Sequence, residues 1–161
     1  YRCLGAKVVE DKDQNTDDIT KSLNHIKASV KSTVLHPLVV VCGAIGGNLT
    51  QELANFNAFF NFPELRLLFV SDYNVVTCFG PGHHVIELPT RLRCGMLPLG
   101  TPCQQVVTTG LRWNVNGPMK FGGLISSSNE MIATRVTVQL SDPIIWTLDF
   151  DTPPRSSIPQ P

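Results

Sequence analysis

Asp18 and Lys21 stand three residues apart in a segment whose apolar residues Ile19, Leu23, Ile26 and Val30 recur in steps of four, three and four. That spacing predicts an amphipathic helix. Residues three apart share a helix face, so a carboxylate able to meet magnesium and an ammonium able to meet phosphate oxygens could both front one nucleotide. In any protein, Asp17 and Asp18 would also stabilise the positive end of a helix dipole, with Lys21 a solvated neighbour. A second candidate is the turn Gly43-Ala44-Ile45-Gly46-Gly47, whose backbone N–H groups are free to meet phosphate. Strand-glycine-helix junctions also serve as packing devices. The third is a tract over residues 108–148. It contains Thr-Thr-Gly-Leu-Arg-Trp-Asn-Val, then Phe-Gly-Gly-Leu-Ile-Ser-Ser-Ser-Asn, then Asp-Pro-Ile-Ile-Trp-Thr-Leu. It reads as two strands flanking a small-residue polar turn. Ser126, Ser128 and Asn129 offer hydroxyls and an amide, and Trp113 and Trp146 offer flat apolar faces, a combination suited to a heteroaromatic ligand. The plainer reading is a sandwich strand pair with a Ser/Asn turn and two core tryptophans.

The elements that must position these groups fall into two patterns. A short strand is expected at Val8, then the helix just described, capped by Thr16 or Asp17. The continuous apolar run 38–42 suits a buried parallel strand. After the glycine turn, Leu49, Leu53, Phe56 and Phe60 mark a second amphipathic helix, and 65–70 is another apolar strand. Strand, helix, strand, helix, strand is the order of an α/β layer, which binds ligands at the carboxyl ends of its strands. Beyond Ser71 come short strands at 75–79, 85–88, 91–98, 103–109, 119–126, 135–140 and 144–150, with turn signals every 8 to 12 residues, as in a β-sandwich. The expected fold is therefore α/β plus all-β: a partial α/β layer over 1–72, a β-sandwich over 73–150, and a disordered Pro/Ser-rich tail over 151–161.

The chain has 161 residues, 42% of them apolar, enough for one ordinary domain or two small ones. Thirteen basic and thirteen acidic residues cancel, and the basic residues Arg91, Arg93 and Arg112 are scattered, so nucleic acid is not an expected partner. The apolar runs fall far short of the roughly 20 residues that span a bilayer, so no membrane helix is expected. The first residues, Tyr-Arg-Cys-Leu-Gly-Ala-Lys, carry neither an initiator Met nor a signal-peptide core, which reads as a start inside a longer protein. Cys3, Cys42, Cys78, Cys94 and Cys103 show no metal-ligand spacing and are expected as reduced thiols in a cytoplasmic protein. His83-His84 follow a Pro-Gly turn and are expected as exposed loop residues rather than metal ligands. Asn48-Leu49-Thr50 matches a glycosylation sequon by coincidence.

The third tract resembles the thiamine-binding domain of thiamine pyrophosphokinases, and the similarity extends over nearly the whole chain, strongest over 97–148. Ser126-Ser127-Ser128-Asn129 is similar to the family's Ser-Thr-Ser-Asn, whereas 130–135 replaces a stretch that there carries a Gly and an acid. Gln14-Asn15-Thr16-Asp17-Asp18-Ile19-Thr20-Lys21 resembles the family pattern Gln-Asp-x-Thr-Asp followed by Lys; Asp18 and Lys21 match it, while Asn15 stands for an Asp and Asp17 for the Thr. The stretch 43–51 resembles Gly-Gly-x-x-Gly-Arg-x-Asp-Gln. It keeps Gly43, Gly47 and Gln51, but has Asn48 for Arg and Thr50 for Asp. Asn cannot neutralise phosphate charge as a guanidinium does, and a Thr hydroxyl is no carboxylate base near neutral pH. The family's acidic Gly-Asp-Phe-Asp-type metal motif is absent from this sequence.

The resemblance implies transfer of diphosphate from magnesium-bound ATP to the hydroxyl of thiamine, with AMP released, in a homodimer whose subunits both border each thiamine. It implies a metal or base role for Asp18, a phosphate role for Lys21, and a nucleotide cradle at Gly43, Gly46 and Gly47. Thiamine contacts would come from Gln14, Gln51, Ser126, Ser128 and Asn129, with Trp113 or Trp146 near the substrate or the dimer seam. The losses at Asn48 and Thr50 also suit an impaired relative that binds thiamine and acts through dimerisation. A sandwich interaction module is the third reading.

Overall fold

The computed structural model describes residues 2–30 and 36–150. Helix α1 is Asp18–Ser29, and Asp17 is its cap: one carboxylate oxygen accepts from Thr20 N at 2.7 Å. Strand β1, Leu38–Cys42, leads through the glycine turn to α2, Leu49–Asn55, and α3, Ala58–Asn61, and then to β2, Arg66–Val70, which pairs parallel with β1. Two expectations change here. The segment around Val8 is not a strand; Val8 and Val9 are exposed and pair with no sheet. The second helix is broken, because the chain tightens at Phe56 and Asn57 into i→i+3 bonds that α3 then continues. Leu49 and Leu53 consequently face solvent, while Phe59 turns inward onto Phe69 with ring centroids 4.4 Å apart.

Eight antiparallel strands follow: β3 (Asn74–Phe79), β4 (Gly82–Glu87), β5 (Arg93–Leu97), β6 (Cys103–Thr109), β7 (Asn116–Met119), β8 (Ser126–Glu130), β9 (Arg135–Leu140) and β10 (Ile144–Asp149). They form two sheets, in orders β1-β2-β3-β10-β5-β8 and β4-β9-β6-β7. The fold is the expected α/β part joined to a β-sandwich. The single strand expected over 119–126 is instead a turn between β7 and β8, and Ser126, Ser128 and Asn129 lie on an edge strand rather than in the turn. His83 and His84 likewise sit in β4, not in a loop, with His84 stacked on Phe79 at 4.7 Å. Strand β2 pairs with β3 across the turn at 71–73, so one hydrogen-bonded sheet runs through the expected boundary. The tail 151–161, expected to be disordered, lies outside the described residues.

Strand β10 explains how this sheet has a core on each side. Ile144 and Trp146 point between the sheets with Met96, Val106, Met119, Val136 and Val138; Ile145 points the other way, onto Phe59, Phe69 and Leu23 under the helices. Alternate residues of a strand face opposite ways, so Ile-Ile-Trp can be continuously apolar only in a strand covered on both faces. No helix among the described residues is long and apolar enough to cross a membrane.

All five cysteines are free; Cys3 and Cys42 are exposed, Cys94 and Cys103 buried. Burial pushes the Cys78 thiol up to about 11 and the Cys94 thiol up to about 12, the latter helped by Asp149 and Glu130. A raised folded pKa keeps the proton in the native state after the unfolded chain has lost it. Stability is therefore expected to be level below pH 9.0 and to fall as pH rises through about 11 to 12. Urea midpoints from pH 8 upward check this, and Cys94→Ala should flatten the slope.

Candidate functional site

Helix α1 projects Asp18 fully into solvent at the mouth of a cleft of about 650 Å³, with Ser22, Gly43, Gln51 and Asn55 on its walls. Asp18 and Gln51, 33 positions apart in the sequence, thus meet at the end of β1. Lys21 does not join them there. Its ammonium folds back to donate to Asp13 O, lies 3.7 Å from Asp18 Oδ1, and its side chain is only 14% exposed. Lys21 and Asp18 together border a neighbouring cleft formed with residues 6–11. Asp13, which organises that loop, accepts from Thr16 Oγ1 and Asn15 N, and these bonds hold its carboxyl below the ordinary range. Gln14 is exposed and turned onto Lys12 O at 3.5 Å, away from the Asp18 cleft.

The glycine turn separates this cleft from a second one of about 730 Å³, walled by Gly43, Gly46, Glu52, Phe56, Ser71, Asp72, Tyr73, Asn74 and Asp149. Gly43 and Gly46 hold φ of 83° and 102°, which the turn requires and a side chain resists. Asn48, standing where the resembled pattern has Arg, is the N-cap of α2: its Oδ1 accepts from Thr50 N at 3.0 Å and Gln51 N at 3.3 Å. Asn55 Nδ2 donates to Ala44 O at 2.8 Å and ties α2 to the turn. Glu52 was not legible as a site residue. Its carboxylate accepts from both Gly46 N and Gly47 N, the donors expected to hold phosphate. Its position one helical turn after the glycines was the available signal. Neither cleft beside the turn is lined by Lys or Arg among the described residues.

The third cleft, about 400 Å³, lies at the β8 edge and brings Trp113, Ser126, Ser128 and Asn129 together. Strand β8 approaches β5 at a bulge where Gly95 leaves room; a Cβ there would stand 2.7 Å from Thr147 Oγ1 and 3.0 Å from Ser126 O. Asn129 is 3% exposed and its amide is committed within the protein. Oδ1 accepts from Trp113 N at 3.1 Å and Glu130 N at 2.9 Å, while Nδ2 donates to Trp113 O at 2.7 Å and Ser126 Oγ at 3.2 Å. Asn129 is thus a clamp on the Trp113 backbone rather than a free donor to a ligand. Trp113 itself is 58% exposed, and the Arg112 guanidinium, paired with Glu130 at 2.9 Å, lies 5.3 Å from the centre of its ring. Trp146 is absent from all three clefts: it is 2% exposed, in the sandwich core beside Phe79. Its inward face on the central strand decides this.

An α/β layer with a glycine turn at the end of its parallel strands, joined to a sandwich bearing an aromatic and hydroxyl-lined cleft, is an architecture in which small-ligand sites commonly form. Residues 83–145 match the family model described as "Thiamin pyrophosphokinase, vitamin B1 binding domain". The chain is similar in sequence to thiamine pyrophosphokinases along 93% of its length. It is 34% identical over 157 residues to thiamine pyrophosphokinase 1 of Arabidopsis thaliana, and covers 59% of that relative. It spans about three fifths of the length of the relatives it matches. The thiamine pyrophosphokinase structure from Bacillus subtilis superposes with a TM-score of 0.75 at 18% identity, covering 87% of this chain and 66% of the other. That from Candida albicans gives 0.68 at 23% identity, covering 82% and 51%.

Proposed function

We propose that the protein to which this chain belongs transfers diphosphate from ATP to the hydroxyl of thiamine, releasing AMP. The observation that carries this reading is the Trp113, Ser126, Ser128 cleft, which lies inside the matched vitamin B1-binding segment. Residues 1–72 would serve the nucleotide and 73–150 the thiamine. The exposed Trp113 ring suits a cationic heteroaromatic, and the Ser128 hydroxyl, exposed and unbonded among the described residues, is free to hydrogen-bond it. Gly43 and Gln51 border the Asp18 cleft, where a nucleotide would lie against the end of β1.

No grouping of three His, Cys, Asp or Glu that could hold a metal ion occurs among the described residues. One exposed carboxylate, Asp18, fits the single protein contact that a phosphate-bound Mg2+ accepts. Mg2+ would supply charge neutralisation at the transferring phosphates. Asp18 would hold the metal or take the hydroxyl proton, and Lys21 would reach phosphate only after leaving Asp13 O. Homodimer formation has support in the apolar Trp113, Phe121, Leu124 and Ile125, exposed beside the open β8 edge. A cytoplasmic location suits five free thiols.

Incubating the full-length protein with ATP, Mg2+ and thiamine should yield thiamine diphosphate and AMP in equal amounts, while the chain of residues 1–161 by itself is expected to be impaired. Trp113→Ala should weaken thiamine binding about tenfold, the 1.4 kcal/mol scale of a cation–π contact. Thiamine binding without product favours the second reading, a binding relative with impaired transfer. Three observations support that reading: Asn48 is spent as a cap, Lys21 is withdrawn, and no Lys or Arg lines either cleft beside the turn. Absence of thiamine binding overturns both.

A further inference from the structure

We propose that the Glu52 carboxylate is an internal stand-in for phosphate at the Gly46–Gly47 turn, so that a phosphate-bearing ligand reaches this turn only by displacing it. This rests on the reading of the turn as a nucleotide cradle. One oxygen, Glu52 Oε1, accepts from Gly46 N at 2.9 Å and from Gly47 N at 2.5 Å. Two backbone donors converging on one anionic oxygen form the concave arrangement that binds a phosphate oxygen, and charge-assisted bonds of this type are the strong ones. The turn's donors are thus satisfied by the chain's own carboxylate.

Glu52 is held in place from both sides. Asn48 caps the first turn of α2, and Asn55, three residues beyond Glu52, donates to Ala44 O, so the helix is tied to the glycine turn at both ends. The carboxylate is nevertheless on a wall that opens outward, since Glu52 borders the second cleft. No atom lies within 4 Å of where a Cβ on Gly46 or Gly47 would stand, which leaves room over the turn for a ligand group. Besides Glu52, the titratable and charged groups facing that cleft are Cys42, Asp72, Tyr73 and Asp149, and Asp149 is already drawn to Arg93 at 3.8 Å and Asn74 at 3.0 Å. Among the described residues no Lys or Arg lines the cleft to hold Glu52 away from the glycines. An incoming phosphate meets carboxylates on this side and must replace one of them at the two N–H groups. Removing the negative charge at Glu52 should therefore favour phosphate at the turn.

The test titrates inorganic pyrophosphate into the native chain, Glu52→Gln and Glu52→Ala. It uses calorimetry together with the backbone amide resonances of Gly46 and Gly47, and the melting temperature of each protein is recorded. Glu52→Gln should bind pyrophosphate about tenfold more tightly than the native chain, a difference of about 1.4 kcal/mol. The Gly46 and Gly47 amides should be the ones that move. Equal or weaker binding in both variants with melting temperatures retained overturns the proposal, as does binding that leaves those two amides still, or no binding in any of the three. If Glu52→Ala unfolds, Glu52→Gln decides alone. Thiamine binding measured on the same proteins separates the two levels. If it persists while pyrophosphate fails, only the stand-in role is lost; if both fail, the functional reading goes with it.

Discussion

Replacing Trp146 with alanine should lower the stability of the chain by about 3–5 kcal/mol, the range for emptying a fully buried aromatic site. Domains of this kind are stable by about 5–15 kcal/mol in total, so the variant should sit near the edge of folding. The reason is position. Trp146 is 2% exposed on β10, whose ladder bonds join β3 on one side and β5 on the other, with Thr77 and Met96 as its register partners. Its ring fills the space between the two sheets beside Phe79, at a centroid distance of 6.0 Å. No neighbour on a rigid central strand can shift far enough to close the gap. Trp146→Phe should cost clearly less, because the indole Nε1 is buried without a hydrogen-bond partner among the described residues and phenylalanine removes that donor. Urea unfolding of both variants measures the difference. A loss under about 1 kcal/mol for Trp146→Ala would show that the sheets do not close around the indole.

The second large effect is expected at Asn129, and it separates positioning from contact. Asn129→Ala breaks the bonds to Trp113 N and Trp113 O, and strands both backbone groups beside a buried site. Leaving buried polar groups unpaired costs about 1–3 kcal/mol each, so a loss of about 2–4 kcal/mol is expected after partial rescue by water. Thiamine binding should fall about tenfold or more as well, because the Trp113 ring is no longer held over the cleft. Ser128→Ala should show the opposite pattern. Its hydroxyl is exposed and has no partner among the described residues, so stability should change by less than about 0.5 kcal/mol while thiamine affinity drops. Chemical denaturation and calorimetry on the two variants check both arms. Equal stability losses at Asn129 and Ser128 would contradict the division of labour.

The Ser126-Ser127-Ser128-Asn129 run, read from its likeness to a Ser-Thr-Ser-Asn pattern as offering polar groups to a ligand, has its Asn129 amide bonded within the protein. The signature sits on the cleft, as Trp113, Ser126 and Ser128 do. The clamp on Trp113 bridges 16 positions of sequence, across a register that depends on the bulge at Gly95. Glu52 is a similar case nearer in sequence. A Glu in the first turn of a helix reads as a dipole partner, and only the folded turn shows two N–H groups aimed at its oxygen.

Local patterns were enough for the parts of this protein whose reasons are local. The run 38–42, the strands 103–109 and 135–140, the helix over Ile19, Leu23 and Ile26, and the Asp17 cap all follow from side-chain periodicity or from a hydrogen bond spanning three residues. The change from α/β order to closely spaced strands was equally legible, since it rests on turn chemistry. The tertiary structure alone decided that Val8 lacks a sheet partner among the described residues, that Ser126–Glu130 forms an edge strand, that Trp146 points into the core and Trp113 out, and that Lys21 shares with Asp18 the cleft beside residues 6–11 rather than the one walled by Gly43 and Gln51. Which face of a strand is covered, and which donor finds which acceptor, depends on segments far apart in the chain being packed against each other, and neither spacing nor composition carries that information.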